Sequence, residues 1–259
     1  MTRLVGAGLL LAFLAAPVAA QPPPSTTKKP VAAAKRPPGR GFIAINAGMQ
    51  AAPPDFTDTF TFLTNAEEGT IEARYPSKVP LLLDGSIGYR FWGRVGVAIG
   101  ASHTSSNGAV AIKASVPHPF LIDHDRLVEG EAQDVSRTEM AAHLHLFYEM
   151  VPKGKWRARF FAGPSYFGVE QELVREVTVD ETYPYDTATF RSAITEPADG
   201  SGVGFNVGAD VAWMFSRRTG AGLLLRYARA GVDLNAPESR NVSTDAGGLQ
   251  VGAGLRFLF

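Results

Sequence analysis

Strict alternation of apolar and polar residues is the feature that most constrains this chain. In the segment VGFNVGADVAWMF, residues 203–215, every second residue is apolar, whereas the residues between them include Gly204, Asn206 and Asp210. Successive side chains of an extended strand point to opposite faces, so one face suits lipid and the other suits a polar interior. The pattern predicts a β-strand whose two faces differ in character.

Eight segments of this kind follow one another along the chain. They lie at residues 42–50, 79–92, 94–105, 140–150, 156–166, 203–215, 220–231 and 246–259. Each is long enough for a tilted strand to cross a bilayer, which takes about 9 to 11 residues. Tight and long connections alternate between them. We therefore predict an all-β fold, an eight-stranded antiparallel transmembrane β-barrel with short periplasmic turns, long extracellular loops and both termini in the periplasm.

Two stretches inside the long connections could add strands to this barrel. Residues 56–63 and 109–116 have strand-like composition. Adding only one of them would invert the rest of the chain and place the short turns outside, so a larger barrel would need both and have ten strands. We favour the interpretation that both are strand extensions above the membrane.

The N-terminal part of the chain predicts export. Residues 1–20 combine Arg3, an apolar stretch to Leu14 and small residues before Gln21, which is the layout of a secretory signal peptide. Residues 21–40 are rich in proline and cationic residues and predict a disordered periplasmic linker. Residues 41–259 then form the predicted outer-membrane barrel. The chain has no cysteine, so closure of the sheet would have to supply the stability that disulfides give other exported proteins.

Charge is balanced overall but sorted along the sequence. The 25 basic and 25 acidic residues argue against a nucleic-acid-binding protein, which would be basic. Acidic residues outnumber basic ones in the four long connections, whereas the tight connections carry cations. The predicted outer surface is therefore acidic. Solvation explains this surface, and binding of divalent cations or a basic partner is the alternative.

Charged residues also fall on the polar face of the predicted strands, where they would line the barrel interior. These residues are Asp84, Arg90, Glu139, His143, His145, Glu149, Arg157, Arg159, Asp210, Arg226 and Arg256. The interior of an eight-stranded barrel holds little more than its own side chains, and buried charges have to pair. We predict a charge network that plugs the lumen, with a narrow channel for small solutes as the alternative. For His143 and His145 we predict hydrogen bonds in this network rather than a metal site, and we predict no cofactor.

The last strand carries a resemblance to a known family. The segment GLQVGAGLRFLF has Phe257 and Phe259 on its apolar face, and it is similar to the closing strand of bacterial outer-membrane β-barrels, in which a terminal Phe belongs to the signal read during assembly. Together with the strand layout, it resembles the small porin-like or OmpA-like barrel superfamily. The resemblance implies contact with outer-membrane lipid and lipopolysaccharide, assembly by the barrel-assembly machinery, and a structural or surface-interaction role.

One short motif suggests an enzyme. In the segment SHTSSNG, residues 102–108, His103 and Ser105 share the lipid-facing side of the third predicted strand. A histidine base beside a serine nucleophile is a hydrolase arrangement, and the pair resembles the H-x-S element of outer-membrane lipid A deacylases. Polar residues where a strand leaves the membrane explain the same pattern. We therefore predict no enzyme, with a lipid A deacylase-like hydrolase as the alternative.

Overall fold

The computed structural model describes residues 39–259 except 52–54, 77, 152–153 and 237–239. The predicted signal peptide and nearly all of the predicted linker lie outside the described residues, so both assignments stay predictions. The strands are β1 (Gly41–Gln50), β2 (Phe56–Thr64), β3 (Glu67–Tyr75), β4 (Leu81–Trp92), β5 (Val95–Pro117), β6 (Asp125–Met150), β7 (Trp156–Glu181), β8 (Ala188–Met214), β9 (Thr219–Ala236) and β10 (Arg240–Leu258).

Eight of these strands form a closed antiparallel ring. Its order is β1, β4, β5, β6, β7, β8, β9 and β10, and β10 pairs with β1 again. At this seam Phe42 lies opposite Leu258 and Gln50 lies opposite Gln250. The predicted eight-stranded barrel is confirmed, and each of the eight predicted segments lies in a different strand of the ring.

The long connections differ from the predicted loops because the strands continue through most of them. Strands β5 to β8 contain 23, 26, 26 and 27 residues, and irregular chain is confined to the tips of their hairpins. Stretch 109–116 is an extension of β5, as predicted. Stretch 56–63 instead belongs to β2, which pairs with β3 in a separate hairpin. Strand β3 pairs with the β5 extension, beyond the part of β5 that pairs with β4.

The character of the two faces reverses along the strands. On β9, the buried side chains beyond Arg226 are Ala228, Ala230, Val232 and Leu234, whereas the exposed ones change from Leu223 and Leu225 to Arg229, Asp233 and Asn235. We call the part with an apolar exterior the membrane zone and the part beyond it, with a polar exterior, the outer zone. The sequence alternates in both zones, but with opposite polarity.

The outer zone encloses an apolar core. The outer core consists of buried side chains from the β2–β3 hairpin and from the extensions of the ring strands, among them Phe60, Ile71, Tyr75, Val110, Ile112, Val116, Val128, Leu173, Val174, Val232 and Leu234. Burial of this apolar surface stabilises the part of the wall that stands outside the membrane. The strands can therefore continue well beyond the bilayer without lipid around them.

The membrane zone carries a belt of exposed apolar side chains. The belt includes Ile43, Ile45, Leu83, Ile87, Val97, Ile99, Leu144, Leu146, Val207, Val211, Leu223, Leu225, Val251 and Leu255. Exposed aromatic residues lie near the tight turns, among them Tyr89, Phe91, Trp156, Trp213 and Phe215, as an interfacial girdle requires. Within the described part of the chain, no helix is long and apolar enough to span a bilayer.

Candidate functional site in the barrel interior

Three charged residues meet inside the barrel near the tight turns. The carboxylate of Glu149 accepts hydrogen bonds from the guanidinium groups of Arg90 and Arg157, the latter at 3.2 Å. Glu149 of β6 lies opposite Arg159 of β7 in the strand register, which brings a further arginine to the same level of the barrel. All four residues belong to the charge network predicted from the sequence. Each of the arginines lies on the inner face because the alternation of its strand places it there.

A second group surrounds Asp210. Its carboxylate accepts hydrogen bonds from Arg256, including one of 2.8 Å from Nε, and lies 4.0 Å from a guanidinium nitrogen of Arg159. The guanidinium of Arg159 stacks on the ring of Phe42, with 3.3 Å between its central carbon and the ring centroid. Phe42 also contacts Phe147 edge-on at 5.4 Å. Charged and aromatic side chains together fill this level of the lumen.

A chain of hydrogen bonds crosses the lumen above these groups. Arg226 pairs with Asp84 at 2.8 Å and donates from Nε to Gln250 at 2.5 Å. Gln250 donates to Gln50 at 2.6 Å, and Gln50 donates to Glu139 at 3.1 Å. The chain thus connects β4, β9, β10, β1 and β6. Glu139 ends it, where it also accepts two hydrogen bonds from Arg137, at 2.9 and 2.8 Å.

The histidines of the membrane zone lie in the same interior. His143 Nε2 is 3.0 Å from the Ser102 hydroxyl, and its Nδ1 is 2.7 Å from the Ser165 hydroxyl. Asn206 donates to Ser165 at 2.8 Å. The ring of His145 stacks on that of His143. It also packs against Phe161, with 4.4 Å between the ring centroids of His145 and Phe161. No group of three or more metal-ligating side chains is found among the described residues.

The structure places the predicted network residues in this interior together with several further polar side chains. All eleven predicted network residues lie inside the barrel wall, and Asn46, Gln50, Arg137 and Gln250 join them. Asn46 and Gln50 occupy alternate inward positions of β1, so the same pattern could have identified them. Arg137 lies in a part of β6 for which the sequence predicts a loop, so the alternation does not identify it. Whether these contacts block ions stays a prediction.

Polar pairs also support the outer core. Arg240 of β10 contacts Asp58 of β2 at 2.9 Å, and its guanidinium lies over the ring of Phe60. Burial raises the pKa of the Asp58 carboxyl above its ordinary value of 3.8, and the opposing effect of Arg240 is smaller. The Tyr75 oxygen accepts a hydrogen bond of 2.7 Å from the backbone N–H of Val174, and burial raises the pKa of this phenol well above its ordinary value. These contacts connect the β2–β3 hairpin to β7 and β10.

His103 and Ser105 lie on the outer face of β5, as the alternation predicted. His103 is flanked by Leu83 and Met140 on the neighbouring strands, and Ser105 by Leu81 and Thr138. Within the described chain, no hydrogen bond joins the two side chains. This arrangement tests neither the prediction of no enzyme nor its deacylase-like alternative, and both stay as the sequence left them.

Phe257 and Phe259 lie at the seam of the barrel. Phe257 faces outward opposite Ile43, and the backbone of Phe259 exchanges two hydrogen bonds with Gly41, of 2.9 and 3.0 Å. These contacts close the ring at the end where the tight turns lie. The role of the two residues as an assembly signal stays a prediction.

The closed ring, the apolar belt, the aromatic girdle and the charged groups of the interior define a transmembrane β-barrel of the small outer-membrane class. No family model and no curated protein matches the chain. The outer membrane protein OprG from Pseudomonas aeruginosa is similar in structure, with 12% identity, a TM-score of 0.47 and coverage of 85% of this chain and 97% of that chain.

Two further solved structures are similar at the same level. Neisserial surface protein A has 12% identity and a TM-score of 0.43, over 85% of this chain and 96% of that chain. The outer membrane protease OmpT from Escherichia coli has 10% identity and a TM-score of 0.44, over 86% of this chain and 97% of that chain. The barrel is defined by the pairing of its strands and by the belt.

Proposed function

We propose that this protein is an integral outer-membrane barrel with a structural or surface-interaction role and a lumen that does not conduct ions. The observation that carries the proposal is the outer core. Apolar side chains from the ring strands and the β2–β3 hairpin pack together directly beyond the charged lumen. An ion that passed the charged side chains would therefore meet a closed apolar core.

The charged side chains form a second barrier. In an eight-stranded barrel the interior is about wide enough for its own side chains. Here Arg226 and Arg256 are each 1% exposed and are held by carboxylates from strands that are not their immediate neighbours, Asp84 of β4 and Asp210 of β8. Moving them aside would leave buried charges without partners, which is unfavourable. The same interior supports no role as a wide pore.

The proposal includes an orientation. The connections after β4 and β8 are short, and β1 and β10 are joined at the same end of the barrel. We place this end in the periplasm and the outer zone outside the cell, because barrels of this class have short periplasmic turns. The belt would then contact outer-membrane lipid and lipopolysaccharide, and the barrel-assembly machinery would insert the chain.

Planar-bilayer recording of the refolded full chain tests the proposal. Heat-modifiable migration on gels first establishes that the barrel is folded, and we then expect no stable unit conductance. Stable, reproducible channels from the intact protein would contradict the proposal and support the narrow solute channel instead.

A variant provides the positive control for this assay. Arg159→Ser and Arg256→Ser thin the charged lumen, while Val232→Ser and Leu234→Ser thin the outer core. Either pair of substitutions alone leaves one barrier in place, so neither double variant is expected to conduct ions. The combined variant, if its migration remains heat-modifiable, is expected to conduct.

A further inference from the structure

The hairpin tips of the outer zone expose large apolar side chains. At the β5–β6 tip, Phe120 is 72% exposed, Leu121 50% and Ile122 82%; at the neighbouring tips, Tyr183 is 81% and Leu63 82% exposed. We call these five residues the tip surface. Scattered apolar residues are common on protein surfaces, but a contiguous exposed group marks an interaction site.

The chain between the strands is held in place at these tips. Nδ1 of His118 accepts hydrogen bonds from the backbone N–H groups of Phe120 and Leu121, both at 3.1 Å. Phe120 also contacts the ring of Tyr185 edge-on at 5.5 Å. The β5–β6 tip therefore has a defined backbone shape and a contact with the β7–β8 tip.

Further contacts join all three hairpins. Arg126, which is buried, donates to the carbonyl of Tyr185 at 3.0 Å and to the carboxylate of Glu181 at 2.7 Å. The backbone N–H of Asp123 donates to Glu67 of the β2–β3 hairpin at 2.9 Å. Asn65, in the turn of that hairpin, donates to the carbonyl of Pro117 at 3.2 Å. Binding to such a prearranged surface loses little conformational entropy.

The tip surface lies too far from the belt to contact the surrounding bilayer. Strand β5 stays extended from Ser105 to Pro117, which places the tip roughly 40 Å further along the strand at about 3.3 Å per residue. The outer core is also already filled by other side chains. Neither lipid of the belt nor the folded core therefore accounts for the exposed apolar residues at the tips.

The charged groups beside the tip surface are acidic. Segments 63–67, 118–125 and 181–187 contain the carboxylates of Glu67, Asp123, Asp125, Glu181 and Asp186 and no lysine or arginine. The buried Arg126 already pairs with Glu181, so the other four carboxylates provide the charge of the rim. An apolar centre with a charged rim is the usual arrangement of a protein-binding surface. Complementarity then requires a partner of opposite charge. Anionic lipid headgroups would be repelled by the same rim.

We propose that the tip surface docks a protein whose binding face combines an apolar pocket with lysine or arginine residues around it. Phe120 and Ile122 would enter the pocket, and the carboxylates would pair with the surrounding cations. The proposal rests on the proposed function for its orientation, in which the tips face outward, and it names the surface and the class of partner for the surface-interaction role.

A display selection tests the proposal without a known partner. A random dodecapeptide library is panned on the folded full chain in detergent, and synthetic copies of the enriched peptides are then titrated. We expect peptides that combine aromatic or aliphatic residues with lysine or arginine. Raising the salt from about 50 mM to about 500 mM should weaken their binding, because the rim charges are exposed to screening.

Two variants locate the binding. Phe120→Ser/Ile122→Ser should weaken binding at least about tenfold, which is the size of effect that loss of a central apolar anchor produces. Ile194→Ser is the matched control, because Ile194 is an exposed apolar residue on the outer wall away from the tips and should leave binding unchanged. Heat-modifiable migration establishes that both variants are folded.

Several results would overturn the proposal. These are the absence of enrichment, enrichment of acidic peptides, equal binding to the double variant, and self-association that the double variant abolishes. Retention of phosphatidylcholine or phosphatidylglycerol vesicles by the tip surface would overturn it in favour of lipid. Protease cleavage at residues 118–124 on intact cells tests the orientation separately, so its failure would contradict the proposed function and leave the binding result standing.

Discussion

At the scale of single residues, the barrel interior depends on pairing buried charges across strands. Asp210 shows the principle. Its carboxylate accepts hydrogen bonds from Arg256 and lies 4.0 Å from a guanidinium nitrogen of Arg159, although Asp210 is only 5% exposed. Removing one member of such a group leaves the other charges desolvated and unpaired. The lost pairing then costs more than an exposed ion pair contributes.

We therefore expect Asp210→Asn to lower the free energy of unfolding by about 3 to 5 kcal/mol. The matched control is Glu129→Gln, because Glu129 pairs with Lys113 at 3.2 Å with both side chains more than half exposed. This change should cost less than about 1 kcal/mol. Urea unfolding of the refolded protein, followed by tryptophan fluorescence, measures both. Equal effects of the two substitutions would show that Asp210 is not buried in a network.

Asp58 makes the stability of the outer zone depend on pH. Because its pKa is raised in the folded state, the folded protein binds more protons than the unfolded one at pH values just above the ordinary pKa of 3.8. The free energy of unfolding therefore falls as the pH rises through this window. Asp58→Asn removes the ionisable group, so it should reduce the slope of the free energy of unfolding against pH. Urea midpoints at a series of pH values measure it, and parallel curves for wild type and variant would contradict the assignment.

At the scale of elements, the seam between β1 and β10 brings two backbones close together at a glycine, Gly254. A Cβ atom built on Gly254 would lie 1.8 Å from the backbone oxygen of Ile45, whereas a Cβ on Gly85 would meet nothing within 4 Å. The first contact involves backbone, which cannot move aside without separating the two strands. The backbones of β1 and β10 therefore leave no room for a side chain at Gly254.

Gly254→Ala is accordingly expected to destabilise the barrel by about 1 to 3 kcal/mol, as overpacking does. Gly85→Ala should change stability by no more than about 0.5 kcal/mol, since it adds a methyl group to open space on the outer face. The measurement is the temperature at which heat-modifiable migration is lost in detergent. A seam that tolerates alanine at both positions would disprove the close approach.

The strand periodicity was sufficient to predict the ring but not its full height. Alternation identifies both the strands and their two faces. It therefore predicts the eight membrane segments and the inward positions of residues such as Arg226 and Asp210. The extensions of β6 to β8 do not follow from the alternation, because their apolar residues face inward, which is opposite to the rule for lipid-facing strands. The position of 56–63 depends on pairing with β3 and β5, and such distant contacts are not encoded in local alternation.

At the scale of the whole molecule, the same strands pass through two environments, the membrane zone and the outer zone. In the membrane zone the wall is apolar outside and encloses a charged network beside a small apolar cluster, whereas in the outer zone it is polar outside and apolar inside. Lipid stabilises the first arrangement, and the outer core stabilises the second. Because each zone has its own source of stability, damage to one zone should leave the other largely intact.

Leu234→Asp tests this separation. Leu234 is fully buried in the outer core, so an aspartate there would be a desolvated charge without a partner. We expect limited proteolysis to cleave the outer zone of this variant while the membrane zone still migrates as a folded barrel on unheated gels. Asn235→Asp places the same charge one residue further along, on the exposed face of β9, and should remain resistant. If Leu234→Asp also abolishes heat-modifiable migration, the two zones fold as a single unit, and the outer core is then required for the barrel itself.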